Sequence, residues 1–255
     1  MKNSLEPTAN SELSHLAFNC DPSHIASTVL LLPFLSLEIF RGCFDTVAHE
    51  FHAEGFFTGV TGHWENKSLT LIRTGIGSVR VIDAMLALRS CQVSRVAFAG
   101  TCGGLAPSMH LGDMVIPNSS YIIRDIESVL EQQYSKPDPL LLLPEGPIAL
   151  THYLKLRNHT VHGGTVASIP SVFLLQDKLA QFLQDAAISG IDLETAYLHQ
   201  VCQHLGLSPQ FLLTVSDLPI VQPLRSLSPE QKRKTRDIHV GHVKQLIPYL
   251  LQSQG

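Results

Sequence analysis

The chain has 255 residues, 44% of them hydrophobic and 16% charged, with a formal net charge of −4. That length suits one large domain or two small ones, and the apolar share is ample for a core. A mildly acidic chain lacks the basic footprint of a nucleic-acid binder, and its one dense basic stretch, Lys232-Arg233-Lys234 with Arg236, reads as a solvated helix face.

Five scattered cysteines (Cys20, Cys43, Cys91, Cys102, Cys202) form no CxxC pair, which argues for a reducing compartment and against a disulfide framework or structural zinc. Met1 to Pro7 is polar and has no signal-peptide core. The longest apolar run, Val29 to Phe34, is too short to span a bilayer. A cytoplasmic protein with neither a membrane nor a nucleic-acid partner is expected.

In chain order, residues 1–27 are polar and read as an arm ahead of a domain over 28–255. Val29 to Leu32 reads as a buried strand stopped by Pro33. Residues 36–54 read as helical. Phe56 to Thr61 and Ser68 to Thr74 read as strands joined by a turn at Glu65-Asn66. Thr74-Gly75-Ile76-Gly77 then leads into a helix with apolar residues at Val79, Ile82, Met85 and Leu86. A strand at Val93 to Phe98 ends in Gly100-Thr101-Cys102-Gly103-Gly104, and Gly112-Asp113 opens another at Met114 to Pro117. The Pro- and Gln-rich stretch 131–147 reads as a loop, 145–158 as a helix, and Thr165 to Ile169 as a strand. An amphipathic helix follows at Asp177 to Ala187, then a short strand at Gly190 to Glu194 and a helix to Gly206. Gln210 to Val215 is a strand ending at Ser216-Asp217, and 229–252 is a helix broken near Pro248. Alternating strands and helices predict a three-layer α/β/α fold around a central mixed sheet.

Ligands of such sheets bind at the carboxyl ends of the strands. Four features fall there: the Gly75/Gly77 turn, the Thr101-Cys102-Gly103-Gly104 loop, the Asp192/Glu194 pair and Ser216-Asp217. Singly, each has an ordinary explanation, as a tight connection, close packing or a helix cap. His49/His52 and His239/His242 are each spaced to share a helix face but lack an acidic third ligand, so neither a metal nor a cofactor is expected. Gly75-x-Gly77 is not a dinucleotide fingerprint, because Arg80 stands where the third glycine would be.

Together, in this order, the four features resemble the nucleoside phosphorylase/nucleosidase superfamily. Thr74-Gly75-Ile76-Gly77 looks like its TG(I/M)G turn. Gly100 to Leu105 with Gly112-Asp113 looks like its G(T/S)(C/A)GGL loop and GD(V/M)V strand. Asp192-Leu193-Glu194 stands in place of Glu-Met-Glu, and Val215-Ser216-Asp217 in place of (V/I)SD. The resemblance implies that a purine-type nucleoside is the ligand and that Asp217 is the acid that protonates the departing base, with Ser216 orienting it. It implies that Glu194 holds the ribose hydroxyls and steadies the sugar cation. Asp192 and Leu193 would flank the ribose, with Ile76, Thr101, Cys102 and Gly103 around the ligand. Val172 and Phe173 fall where the family packs the base; Phe173 would either stack on it or belong to the core. A homo-oligomer, dimer or hexamer, is implied as well. His15 could match a histidine lent to a neighbouring subunit or be a solvated arm residue.

The departures bear on the reaction. Where the resemblance calls for a phosphate-binding glycine and three arginines, this chain has Phe34, Glu38, His52 and Phe98. An acid repels phosphate, and a phenyl ring offers no donor. Nucleosidases of the superfamily carry a water-activating glutamate near the position of Glu38, so hydrolysis is expected, with Glu38 either in that role or on a surface helix. Two alternatives stay open: a phosphorylase whose phosphate site is rebuilt from Arg41 or Arg73, and a non-catalytic relative that binds a nucleoside.

Overall fold

The computed structural model describes residues 7–123, 126–135, 138–142 and 145–252. Its strands are β1 (Thr28–Leu32), β2 (Thr46–His52), β3 (Thr58–Trp64), β4 (Lys67–Arg73), β5 (Arg95–Gly104), β6 (Met114–Ile122), β7 (Leu140–Leu141), β8 (Val161–Ser168), β9 (Ile188–Asp192) and β10 (Gln210–Asp217). Its helices are α1 (Pro7–Phe18), α2 (Ser78–Ala87), α3 (Ile126–Leu130), α4 (Glu145–Lys155), α5 (Asp177–Asp185), α6 (Thr195–His204) and α7 (Pro229–Gln252).

The sheet is mixed, as expected. β1 lies between β4 and β5, parallel to both, and β3 and β2 extend that side antiparallel. All five β1 residues are buried because helices cover both faces. Strand alternation divides its side chains between two cores. Val29 and Leu31 join Val81 and Met85 of α2 and Leu198 of α6. Leu30 and Leu32 join Leu150 of α4 and Leu246 and Leu250 of α7. Beyond β5 the sheet closes: β5 pairs with β10, β10 with β6, β6 with β8, β8 with β9, and β9 with β5 again.

Three expectations need correction. Residues 36–54 are not one helix but a 3-10 turn at Leu37–Cys43 followed by β2. β2 is an edge strand that buries only Phe51, so polar residues on both faces conceal its alternation. The described part of the supposed arm packs into the core. Phe18, at the end of α1, is fully buried, with its ring 5.5 Å from that of Phe51 and 5.6 Å from that of Phe57, and Ala17, Cys20 and Ile25 are buried around it. A few apolar residues in a polar segment suffice when they fall on one face. Lastly, α7 runs through Pro248 as a single helix.

Candidate active site

A cleft of about 250 Å³ opens at the carboxyl ends of β1, β5, β9 and β10. It takes Phe34 from beyond β1, Ile76 from the turn before α2, Thr101 to Gly103 from β5, Asp192 to Glu194 from the end of β9, and Ser216 and Asp217 from β10. Glu194 and Asp217, from the ends of different strands, therefore share one cavity.

The turn positions Glu194. Gly75 and Gly77 have φ of 85° and 108°, a region that residues with a Cβ rarely enter. That backbone aims the Gly77 N–H at the Glu194 Oε1, 2.6 Å away, while the Leu193 N–H donates to its Oε2 at 3.3 Å. Burial, followed by the nearby Asp192 charge, holds the Glu194 carboxyl well above the usual carboxylate range, against the pull of those two donors.

Asp192 has a different task. Its carboxylate accepts from Ser168 Oγ at 2.5 Å, from the Thr195 N–H at 3.0 Å, from Thr195 Oγ1 and from the Glu194 N–H at 3.3 Å. It caps the start of α6. With its acceptor positions filled, it forms part of the cleft wall and has little left to offer a ligand, contrary to its assignment as a ribose contact. Burial raises the proton affinity of Asp192 as well, with its four donors opposing that rise, whereas Glu194 has only two donors to oppose it.

At the end of β10 the register against β5 shifts between Val215 and Asp217. Adjacent strand residues normally face opposite ways, but this irregularity lets Ser216 and Asp217 both line the cleft. Ser216 Oγ donates to Asp217 Oδ1 at 2.8 Å or to the Cys102 carbonyl at 3.2 Å, and the Leu224 N–H donates to Asp217 Oδ2 at 3.1 Å. Burial outweighs these donors and raises the Asp217 carboxyl above its ordinary value. Ser216 can serve either state of the acid, as donor to the carboxylate or as acceptor from the protonated carboxyl while it donates to Cys102.

The remaining wall is mostly apolar. Thr101 is half-buried, Leu193 packs partly into the core, and Ile76 and Val172 stand exposed at the opening. Burial pushes the Cys102 thiol far up, so it is no nucleophile. Gly103 is small for packing reasons: a Cβ there would lie 2.7 Å from the Pro219 ring. Phe173 is neither core nor part of this cleft; at 91% exposed it faces a neighbouring cavity. Ile169, Leu175, Ile191 and Leu224 also line the cleft. Sequence reasoning missed them; Ile169 and Ile191 carry a weak signal as apolar residues at strand ends, while Leu224 is brought in by a loop.

Glu38 is not brought to this cleft. Its side chain is 70% exposed and pairs with Arg41 at 2.8 Å, and Arg41 also holds Glu50 at 2.6 Å. Glu38, Arg41 and Arg73 line a separate small cavity. The 3-10 turn carries Glu38 outward, whereas Phe34 points to the cleft. His52 is exposed and bonded to Thr58, and Phe98 is buried against Phe211. Among the described residues, none that lines the Glu194–Asp217 cleft is Arg, Lys or His. Among the described residues no cluster of His, Cys, Asp or Glu could hold a metal, and no helix is long and apolar enough to cross a membrane.

A mixed sheet, half of it closed, with helices on both faces and a cleft at the strand ends defines the fold of the nucleoside phosphorylases and nucleosidases. A crystal structure of uridine phosphorylase from Vibrio fischeri ES114 superposes on it with a TM-score of 0.74 at 19% identity, covering 92% of this chain and 94% of that one. The family model described as Phosphorylase superfamily matches residues 33–246, and the chain belongs to that superfamily. In sequence it is 25% identical over 162 residues to a 5'-methylthioadenosine/S-adenosylhomocysteine nucleosidase of Haemophilus influenzae (strain 86-028NP), over 61% of this chain and 70% of that protein. It is equally 25% identical over 162 residues to a DeoD-type purine nucleoside phosphorylase of Buchnera aphidicola subsp. Schizaphis graminum (strain Sg), over 62% of this chain and 66% of that one.

Proposed function

We propose that the chain hydrolyses the N-glycosidic bond of a purine-type nucleoside, with Asp217 as the acid for the departing base and Glu194 as the partner of the sugar. One observation carries this: two buried carboxyl groups with raised proton affinity share a cleft whose walls, among the described residues, hold no cationic side chain. Bond cleavage leaves negative charge on the base and positive charge on the sugar. A protonated Asp217 neutralises the first. Glu194, once its proton is lost, accepts from ribose hydroxyls and offsets the second. Phosphate in this cleft would meet Phe34, Leu193 and two acids. Arg41 and Arg73 line a different cavity. Glu38 is therefore not assigned the water-activating role; the proton released as water adds to the sugar cation passes through solvent to restore the Asp217 carboxyl.

The protein would work as a homo-oligomer, dimer or hexamer; exposed Ile76 and Val79 are apolar surface that a second copy would cover. The reading is tested with a panel of purine nucleosides, including methylthioadenosine, incubated with and without phosphate. Free base and free sugar released in phosphate-free buffer are expected. Release of a sugar 1-phosphate only when phosphate is present would identify a phosphorylase instead.

A further inference from the structure

Beside the cleft lies a second cavity of about 520 Å³, twice the volume of the first. The two share Asp217, Val172, Leu175 and Leu224, so they meet at the proposed acid. Glu194, Leu193, Ile76 and Phe34 line only the first cavity. The second therefore continues from the leaving group and lies away from the sugar.

Its lining is part apolar and part charged. Leu224, Val172, prolines and the exposed Phe173 form the apolar part. Arg225 and Lys232 supply its cations. Asp177 meets Arg225 at 3.4 Å across an exposed pair. Lys232 forms no ion pair among the described residues. Arg225 and Lys232 share the cavity with Asp177 and the proposed acid Asp217, and Lys232, outside the ion pairs of the described residues, is the cation open to a negative group. An exposed phenyl ring beside a cavity costs free energy in water that an apolar ligand would recover.

We propose that this cavity is a subsite for a substituent on the base. Building on the nucleosidase reading, the substrate class is a purine nucleoside whose exocyclic nitrogen bears an arm, apolar or aromatic near the ring and ending in a carboxylate. Phe173 stacks on the arm, and Lys232 with Arg225 binds its end. The exposure of Phe173 then has a purpose that neither core packing nor stacking on the base supplies.

The test uses adenosine, N6-benzyladenosine, N6-(4-carboxybenzyl)adenosine and adenosine with the same carboxybenzyl group on its 5′ oxygen. Affinity is measured by calorimetry, and base release in phosphate-free buffer. The N6-carboxybenzyl compound should bind about tenfold more tightly than adenosine. The double variant Lys232→Glu, Arg225→Glu should erase most of that gain while N6-benzyladenosine binds as before. An N6 arm that adds no affinity, or a variant that weakens the 5′-substituted compound instead, overturns the subsite. Arm-dependent binding without base release sinks the hydrolase reading and leaves the subsite standing. Release from adenosine without arm preference does the reverse, and failure to bind all four compounds removes both.

Discussion

Two carboxylates separated by a single residue, Asp192 and Glu194, show how little an acid's type says about its task. Both were legible in the sequence as a pair at a strand end. What divides them is donors: Asp192 is consumed by Ser168, Thr195 and a backbone N–H, whereas Glu194 has two backbone donors and a cavity in front of it. Asp192→Asn should thus act on stability, costing about 1–3 kcal/mol through the lost cap and unsatisfied neighbours, with KM for the nucleoside little changed; chemical denaturation and kinetics on one sample separate these. Asp217→Asn keeps the shape but cannot supply the proton, so kcat should fall by roughly 10²–10⁴ while nucleoside affinity survives. Undiminished turnover in that variant would remove Asp217 from the acid role. Glu194 must be ionised to offset the sugar cation, and burial raises its proton affinity. Activity should therefore decline on the acid side at a pH above the ordinary carboxylate range, and Glu194→Gln should abolish that limb along with most of kcat. The Ser216–Asp217 geometry was only half visible: the motif marks the residues, but a register irregularity that turns both into one cleft leaves no trace in composition.

The elements that could be read in advance are those with one strong signal. β1 is a continuous apolar run and α5 is plainly amphipathic, so type and place were legible for both, whereas β5 was legible in type but runs on past Phe98 to Gly104 and takes in the segment read as a glycine loop. β2 failed because an edge strand that buries one residue has no face to advertise. Glu38 was assigned its role on the resemblance, with a surface position as the alternative, and the 3-10 turn gives it the surface position, paired with Arg41. α1 was missed because its contribution is concentrated in Phe18 rather than spread along a stripe. That concentration makes a sharp prediction. Phe18→Ala should cost about 3–5 kcal/mol, since it leaves a cavity between Phe51 and Phe57, and a melting curve should show a loss as large as that of a central core residue. A change under 0.5 kcal/mol would return this segment to the status of an arm.

Across the whole molecule, buried histidines and buried carboxyls set opposing pH demands. His239 and His242, on α7, both meet the Thr214 hydroxyl at 2.9 Å through Nδ1, and the hydroxyl's single proton can serve at most one of them. Burial, with each ring's histidine neighbour adding to it, lowers His239 from 6.5 to about 3 and His242 to about 4, with Asp113 opposing the shift at His242. The unfolded chain takes up these protons as pH falls through 6.5, whereas the folded protein resists until about 4. Stability therefore drains away on acidification, by an amount on the order of 3–5 kcal/mol per histidine. Asp217 and Glu194 act in the other direction, since their raised folded values favour the protonated native state and that contribution is lost as pH rises. Replacing His239 by Gln should flatten the acid side of a melting-temperature profile relative to the parent. An unchanged slope would mean that the ring is charged in the native state.

The ring of strands also decides when this protein can come into existence on the ribosome. β5 finds β1 along the start of one flank at once, but the end of that flank needs β9 and the whole opposite flank needs β10, so a strand finished by residue 104 waits for partners that begin at residues 188 and 210. Contacts that distant in sequence slow folding. Until the last quarter of the chain emerges, β5 and β6 present bare hydrogen-bonding edges to their surroundings. Nascent chains stalled before residue 210 should therefore be strong clients of holdase chaperones, and release of the full-length chain should end that dependence.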